Sequence, residues 1–95
     1  MKYVYRVTYP NGKIYIGMDV TASANYFGSA SHELIASDYT PEQLRDFTIR
    51  REVLWWSEEA TDSEVRAKEL ELIRLHRSND PDIGDNRWPR YDPEP

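Results

Sequence analysis

One glutamate stands out among the residues that could do chemistry. The apolar side chains of the helix predicted for residues 61–77 share one arc at about 100° per residue, namely Val65, Leu72, Ile73 and Leu75. Glu69 projects from the middle of that arc rather than from the solvated side. A carboxylate is rarely buried alone, because its charged form loses hydration. We therefore expect Glu69 either to pair with an arginine at the edge of the core or to bind a metal ion.

An arginine is the second unusual residue, because it lies on the apolar side of a predicted strand. Alternation over residues 47–56 places Arg51 on the same face as four large side chains, Phe47, Ile49, Val53 and Trp55. A guanidinium on such a face needs a carboxylate or phosphate partner. Arg51 is therefore predicted either to form an ion pair with a glutamate or to contact a phosphate, and Arg50 is predicted to point the other way.

The strands that must position these residues belong to a small three-stranded sheet. Alternation over residues 3–9 and a second run at 13–18 predict two strands, and Pro10-Asn11-Gly12 between them predicts a hairpin turn. The third strand is placed inside the sheet, because both of its faces carry large apolar groups. The predicted fold class is α/β in the α+β sense, with an N-terminal β-hairpin, a mixed or antiparallel sheet and flanking helices.

Helices are predicted at three places along the chain. One is a short helix near residues 31–37, and a second begins at Thr40, which caps it, with Pro41 in its first position. Thr61-Asp62-Ser63-Glu64 is a capping box, which predicts a long helix to about Arg77 packed against the sheet. The proline-rich stretch from Ser78 is predicted to be an ordered loop or a frayed end.

Length and composition limit the classes of protein that fit. Ninety-five residues predict a single domain, which we assign to residues 1–90 with a C-terminal tail at 91–95. The chain has no cysteine, which excludes disulfides and thiolate zinc sites. The N-terminus lacks the apolar region of a signal peptide, and no stretch approaches the roughly 20 apolar residues of a membrane span. A cytoplasmic protein that does not enter a membrane is expected.

Charge argues against tight nonspecific binding to DNA but leaves room for a local basic surface. The net charge is -5 and the pI about 4.9, whereas phosphate contacts need clustered cations. Residues 18–44 contain no Lys or Arg, and nine of the 12 cations follow residue 44. An acidic protein that mimics DNA is disfavoured, because the acidic residues are interleaved with arginines.

Four segments resemble, in order, the motifs of the GIY-YIG nuclease family. They are Tyr3-Val4-Tyr5, Asn11-Gly12-Lys13-Ile14-Tyr15-Ile16-Gly17, Lys68-Glu69-Leu70-Glu71-Leu72-Ile73 and Asn86. The family pattern is a hairpin bearing two tyrosines, a helix glutamate four residues before an isoleucine, and a terminal asparagine. The resemblance spans nearly the whole chain, and Tyr26-Phe27-Gly28-Ser29 is similar to a subgroup of small members common in bacteria and phages.

The resemblance implies a metal-dependent endonuclease that hydrolyses phosphodiester bonds in nucleic acid, with DNA as the expected substrate. Glu69 would anchor one divalent cation, Mg²⁺ or another such as Mn²⁺. Tyr5 or Tyr15 would orient or deprotonate the attacking water, and Lys13, beside Tyr15, could lower the pKa of a phenol. The expected substrate-binding residues are Lys13, Arg50 and Asn86, the last of which would fix the far edge of the site.

Two departures from the family pattern keep an alternative open. Tyr3 stands where the name motif has its first glycine, and no cation lies between Lys13 and Arg45, where family members usually carry a helix arginine. Arg51 is the expected substitute. The alternative is a catalytically impaired module of the same fold that binds nucleic acid or a protein partner. A protein partner could also supply specificity to an active enzyme, because so small a domain offers little surface for reading bases.

Overall fold

The computed structural model describes residues 1–20, 38–45 and 47–93. The elements are β1 (Lys2–Thr8), β2 (Ile14–Asp19), α1 (Pro41–Arg45), β3 (Arg50–Ser57) and α2 (Asp62–His76). The three strands form an antiparallel sheet in the order β2-β1-β3. The predicted α+β class with an N-terminal hairpin is thus confirmed. The helix predicted near residues 31–37 lies outside the described residues.

The hairpin of β1 and β2 is built by its turn. The backbone N–H of Tyr9 donates to the carbonyl oxygen of Lys13 at 2.9 Å and closes the turn. Gly12 has a φ of 87°, a left-handed backbone conformation that residues with a Cβ rarely adopt. Asn11 stabilises the same turn, because its Oδ1 accepts from the Lys13 N–H at 3.0 Å. The turn fixes the register of the two strands and therefore decides which side chains share a face.

The core lies on both faces of β1, which is the central strand of the described sheet. On one face, tyrosines of β1 pack with Tyr39, Phe47 and Ile49. On the other face, Val4 and Ile16 pack against Val65 and Ile73 of α2. The prediction that β3 lies inside the sheet is wrong, because β1 takes that place. The large apolar groups of β3 are not all buried, since Val53 is 45% exposed and Trp56 is 58% exposed.

β3 differs from its predicted pattern in two further ways. It begins at Arg50 rather than at residue 47, and the residues before it pack beside the sheet without joining it. The pairing with β1 also shifts register, since Tyr5 lies opposite Val53 whereas Val4 lies opposite Trp55. This bulge adds one residue to β3 and reverses the alternation beyond it. Trp55 therefore packs on the α2 side, not on the face of Arg51 as predicted.

Both predicted helix starts are confirmed by their caps. Thr61 Oγ1 accepts from the Glu64 N–H at 3.2 Å, and Glu64 Oε1 accepts from the Thr61 N–H at 3.1 Å. The same reciprocal pair joins Thr40 and Gln43 at the start of α1. α2 ends at His76, and Arg77 caps it with a left-handed φ of 57°. Neither described helix is long and apolar enough to cross a membrane.

The segment after α2 returns to the open edge of β2 as an ordered loop. Ile14 donates its N–H to the carbonyl oxygen of Ile83 at 3.1 Å and accepts from the Asp85 N–H at 2.8 Å. The Asn86 side chain continues this pairing, since Oδ1 accepts from the Ile16 N–H at 2.8 Å and Nδ2 donates to the Ile16 oxygen at 2.9 Å. The segment therefore covers backbone groups that an edge strand would otherwise leave unpaired.

Candidate active site

A cleft of about 300 Å³ opens at the edge of β2, between that strand, α2 and the C-terminal segment. Its walls are formed by Tyr15, Ile16, Glu69, Ile73, Asp85, Asn86, Arg87 and Trp88. Three of the residues singled out in the sequence, Tyr15, Glu69 and Asn86, therefore meet in one cleft. They come from three separate stretches of the chain, and only the packing of α2 and the C-terminal loop on β2 brings them together.

Glu69 reaches the cleft because it lies on the same face of α2 as the helix residues that pack into the core. Val65 and Ile73, one turn before and one turn after, are both in the core. Leu75 lies about 120° around the helix from Glu69 and is 71% exposed, so its predicted place in the buried arc is wrong.

The carboxyl of Glu69 is poorly solvated for an acid. Burial raises its pKa above the ordinary value, and the charge of Arg66 opposes that rise only in part. Glu69 belongs to none of the ion pairs formed among the described residues. The ion pair between Glu69 and an arginine, which the sequence allowed, is therefore absent among the described residues. What remains is a partly buried carboxylate that lines the cleft.

The two tyrosines of the hairpin lie on the same face, as a shared site requires. In the register, Tyr5 lies opposite Gly17, and Tyr15 lies opposite Val7. Their rings converge over Gly17, where an added Cβ would collide with the Tyr5 hydroxyl and lie 3.1 Å from Tyr15 Cε2. Tyr5 is fully buried, whereas Tyr15 is partly exposed and lines the cleft. Tyr15 is thus the tyrosine at the cleft, with Tyr5 beside it in the core.

Arg51 faces the aromatic side of the sheet, as predicted, but it does not line the cleft. Its Cζ lies 4.6 Å from the centroid of the Tyr5 ring and 5.1 Å from that of Tyr3. Its Nε and Nη2 are buried without a hydrogen-bond partner in the described structure. The glutamate next to it, Glu52, is taken by Arg6, whose Nε donates to Oε1 at 2.8 Å. The ion pair that the sequence allowed for Arg51 is therefore absent among the described residues.

The other predicted substrate-binding residues lie in different surroundings. Arg50 is exposed, with its Nη2 3.9 Å from the Glu52 carboxylate, and it points away from the aromatic side. Lys13 does not line the cleft with Tyr15; its Nζ is 3.6 Å from Asp38 Oδ2. It instead lines a neighbouring cavity.

Sequence reasoning missed two charged residues of the cleft. Arg87 is the cation that lines the cleft in the described part of the chain. Asp85 is a second carboxylate and is 7% exposed. Burial raises its pKa, the charge of Asp38 raises it further, and Lys13 lowers it. Both residues adjoin Asn86 in the sequence, and that adjacency was the signal available to find them.

The polar groups of the cleft fit a cation that shares its coordination with substrate and water. The described residues contain no group of three or more His, Cys, Asp or Glu that could hold a metal ion. Two carboxylates line the cleft, Glu69 near the charge of Arg66 and Asp85 near the charges of Asp38 and Lys13. Mg²⁺ keeps several waters and is commonly held by one or two carboxylates together with phosphate oxygens. Glu69 could therefore serve as one carboxylate ligand of such a cation, whereas the cleft does not fit a closed structural site.

Fold and cleft together define a class: a small α+β protein whose edge strand, long helix and C-terminal loop enclose a cleft lined by both charged and apolar side chains. No family model, curated protein or solved structure matches this chain. The function must therefore be argued from the cleft itself.

Proposed function

We propose that this protein is a metal-dependent nuclease of the GIY-YIG type that hydrolyses phosphodiester bonds in DNA. The observation that best supports the proposal is the meeting of Tyr15, Glu69 and Asn86 in one cleft. A divalent cation held by Glu69, with Asp85 as the second carboxylate on the wall, would supply a Lewis acid for a phosphoryl oxygen. The size of the cleft, about 300 Å³, suits a phosphate with its water molecules rather than a whole base pair.

Tyr15 is the residue proposed to act on the attacking water. Tyr15 lines the cleft, and its ring packs beside Tyr5 over Gly17. Contact with the buried Tyr5 therefore restricts the orientation of the Tyr15 ring. A phenol held in this way can orient a water by hydrogen bonding and accept its proton in the ionised form. Tyr5 is fully buried, so its proposed role is to position Tyr15.

Asn86 has a positioning role in this proposal rather than the substrate contact first expected. Both polar atoms of its amide are engaged by the backbone of Ile16. These two hydrogen bonds attach the C-terminal segment to the residue that follows Tyr15. Asn86 therefore holds Asp85 and Arg87 opposite β2, and its loss would open the cleft wall.

The cation that contacts the scissile phosphate is assigned to Arg87. Displacement at phosphorus leaves charge on the nonbridging oxygens, and a guanidinium can bind two of them at once. Arg87 lines the cleft with Glu69 and Tyr15. Arg51 instead contacts the ring of Tyr5, so its proposed role is to support the two tyrosines.

A binding module without catalysis is the second candidate, and the position of Arg51 favours it. The expected substitute for the missing helix arginine lies against Tyr3 and Tyr5 and does not line the cleft. Under this alternative, the cleft binds a phosphate without cleaving the backbone. Dependence on a divalent metal separates the two candidates, because a binder does not need Glu69.

The test is a plasmid-nicking assay with and without Mg²⁺ on the wild type and on Glu69→Gln and Arg87→Ala. Nicking by the wild type should require the metal, and each substitution should lower the rate on the order of 10²-fold or more. Glu71→Gln is the matched control, since Glu71 lies on the same helix with a side chain that is 60% exposed. Wild-type nicking by Glu69→Gln would refute the metal role, and an inactive wild type that still binds DNA would favour the module.

A further inference from the structure

The segment that closes the cleft continues as an alternation of basic and aromatic residues, Arg87-Trp88-Pro89-Arg90-Tyr91. Trp88 is 77% exposed, the most of any large hydrophobic residue described. The backbone around it is nevertheless fixed. Asn79 Nδ2 donates to the carbonyl oxygen of Pro89 at 2.7 Å, and Arg77 Nη2 donates to the Tyr91 hydroxyl at 2.7 Å. The loop that carries Trp88 is therefore anchored with the indole exposed to solvent. Such exposure of a large apolar ring is unfavourable unless a binding partner covers the ring.

Two further cavities lie along the same segment and share wall residues with the cleft or with each other. A cavity of about 400 Å³ shares residues 85–87 with the cleft, and a third of about 630 Å³ shares Asn79, Arg90 and Tyr91 with the second. We call this series of three neighbouring cavities the C-terminal groove. The cations that line the groove are Lys13, Arg74, Arg77, Arg87 and Arg90. The carboxylates that line it are Glu69, Asp85 and Asp92. Lys13 and Arg77 are paired with Asp38 and Asp80. Arg74, Arg87 and Arg90 therefore supply most of the positive charge that the groove has for an anionic ligand.

We propose that the C-terminal groove binds an unpaired stretch of nucleic acid, with the indole of Trp88 stacked on a base beside the phosphate in the cleft. This inference rests on the proposed function and specifies its substrate. Arginines along a groove neutralise successive phosphates, and exposed aromatic rings stack on bases whatever their sequence. That combination is typical of surfaces that bind single strands.

An unpaired strand fits Trp88 better than a duplex does. The bases of a duplex already stack on both neighbours, so an indole beside the backbone gains a stacking partner only where a base is unpaired. Anchoring by Asn79 and Arg77 also means that little conformational freedom is lost when the base is bound. The predicted substrate is therefore a single strand, or a duplex with unpaired nucleotides next to the cut.

The test measures binding alone, so its outcome is independent of cleavage. Fluorescence anisotropy with EDTA present compares the full chain on a labelled 12-nucleotide single-stranded DNA, the same strand in RNA, and the matched DNA duplex. Single strands should bind more tightly than the duplex. Trp88→Ala should weaken that binding roughly five-fold to 100-fold, the usual effect of losing one stacked base. Trp88→Phe should recover most of it.

Two controls distinguish stacking from general damage. Trp56 is 58% exposed and lies on β3, at the opposite edge of the sheet from the cleft, so Trp56→Ala should change binding less than two-fold. Arg90→Ala should lower the slope of log affinity against log salt by about 0.7, the value for one single-strand phosphate contact. Circular dichroism and thermal melting check that each variant is folded.

Several outcomes would overturn the inference. Equal affinity for duplex and single strand, or equal effects of Trp88→Ala and Trp56→Ala, would exclude stacking by Trp88. Binding to anionic phospholipid vesicles without binding to any oligonucleotide would show that the groove meets a membrane surface instead. The DNA and RNA arms identify which nucleic acid is preferred. Binding with the predicted pattern but without Mg²⁺-dependent nicking would leave this inference standing and refute the nuclease.

Discussion

Replacing Glu69 by glutamine should make the protein more stable and inactive at the same time. The carboxyl lies between Val65 and Ile73 on the buried face of α2, and burial raises its pKa. Near neutral pH the ionised form is therefore held in poorer solvation than it has in the unfolded chain. Glutamine keeps the size and removes the charge.

The sign of the effect follows from proton linkage. Because the pKa of Glu69 is higher in the folded state, the folded protein binds more protons than the unfolded chain. The free energy of unfolding of the wild type therefore falls as pH rises from the unfolded pKa through the folded one. Above that interval the full penalty is present, and below it the carboxyl is neutral in both states. The stabilisation by Glu69→Gln should be greatest at neutral pH and vanish in acid.

The expected size is modest but measurable. Single stabilising substitutions commonly contribute about 0.5–2 kcal/mol. For a domain of this length each kcal/mol shifts Tm by roughly 4–8 °C. A rise of several degrees at pH 7 is therefore expected in a thermal melt without metal, together with a loss of cleavage on the order of 10²-fold or more. Mg²⁺ should raise the Tm of the wild type and leave that of the variant unchanged.

Glu71→Gln provides the comparison within the same helix. The Glu71 carboxylate is exposed and lies 2.7 Å from Lys68 Nζ. Its loss should lower the free energy of unfolding by no more than about 0.5 kcal/mol and should not affect cleavage. A Glu69→Gln variant that is less stable than the wild type and cleaves DNA normally would show that the carboxylate is a structural partner and not a metal ligand.

Three further predictions concern residues behind the cleft. Gly17→Ala should lower the free energy of unfolding in urea by about 1–3 kcal/mol and change the near-UV circular dichroism, because the new Cβ collides with Tyr5. Arg51→Met should slow nicking while urea stability changes by less than about 1 kcal/mol, since a lost cation–π contact offsets the removal of buried unpartnered nitrogens. Hydrogen bonding from Arg6 lowers the pKa of Glu52, so that pair stabilises the fold above the unfolded pKa and is lost as pH falls through the folded one. Glu52→Gln should therefore be less stable by about 1 kcal/mol at pH 7 and equal to the wild type near pH 2, as measured by urea denaturation across pH.

The elements that the sequence predicted correctly are those encoded by neighbouring residues. The turn at Gly12 needs a left-handed residue, and the cap at Thr61 needs an acceptor three residues before Glu64. Such signals involve only a few positions, so they can be read without knowing the fold. The bulge in β3 has no comparable signal. It depends on how Trp55 packs against α2 across the sheet.

The sequence also predicted one part of the candidate site, namely the face of the sheet on which a side chain lies. Alternation shows which face of a strand a side chain occupies, and it placed Arg51 correctly on the side of Tyr5. Alternation does not show the order of the strands. β1 separates β3 from β2. The backbone of β3 therefore lies two strand spacings, about 10 Å, from the backbone of β2, at whose edge the cleft opens. Among the described residues, the cation that lines this cleft belongs to the segment bound to the β2 edge. Arg87 follows Asn86, which attaches that segment to Ile16, and for this reason Arg87 rather than Arg51 is at the cleft.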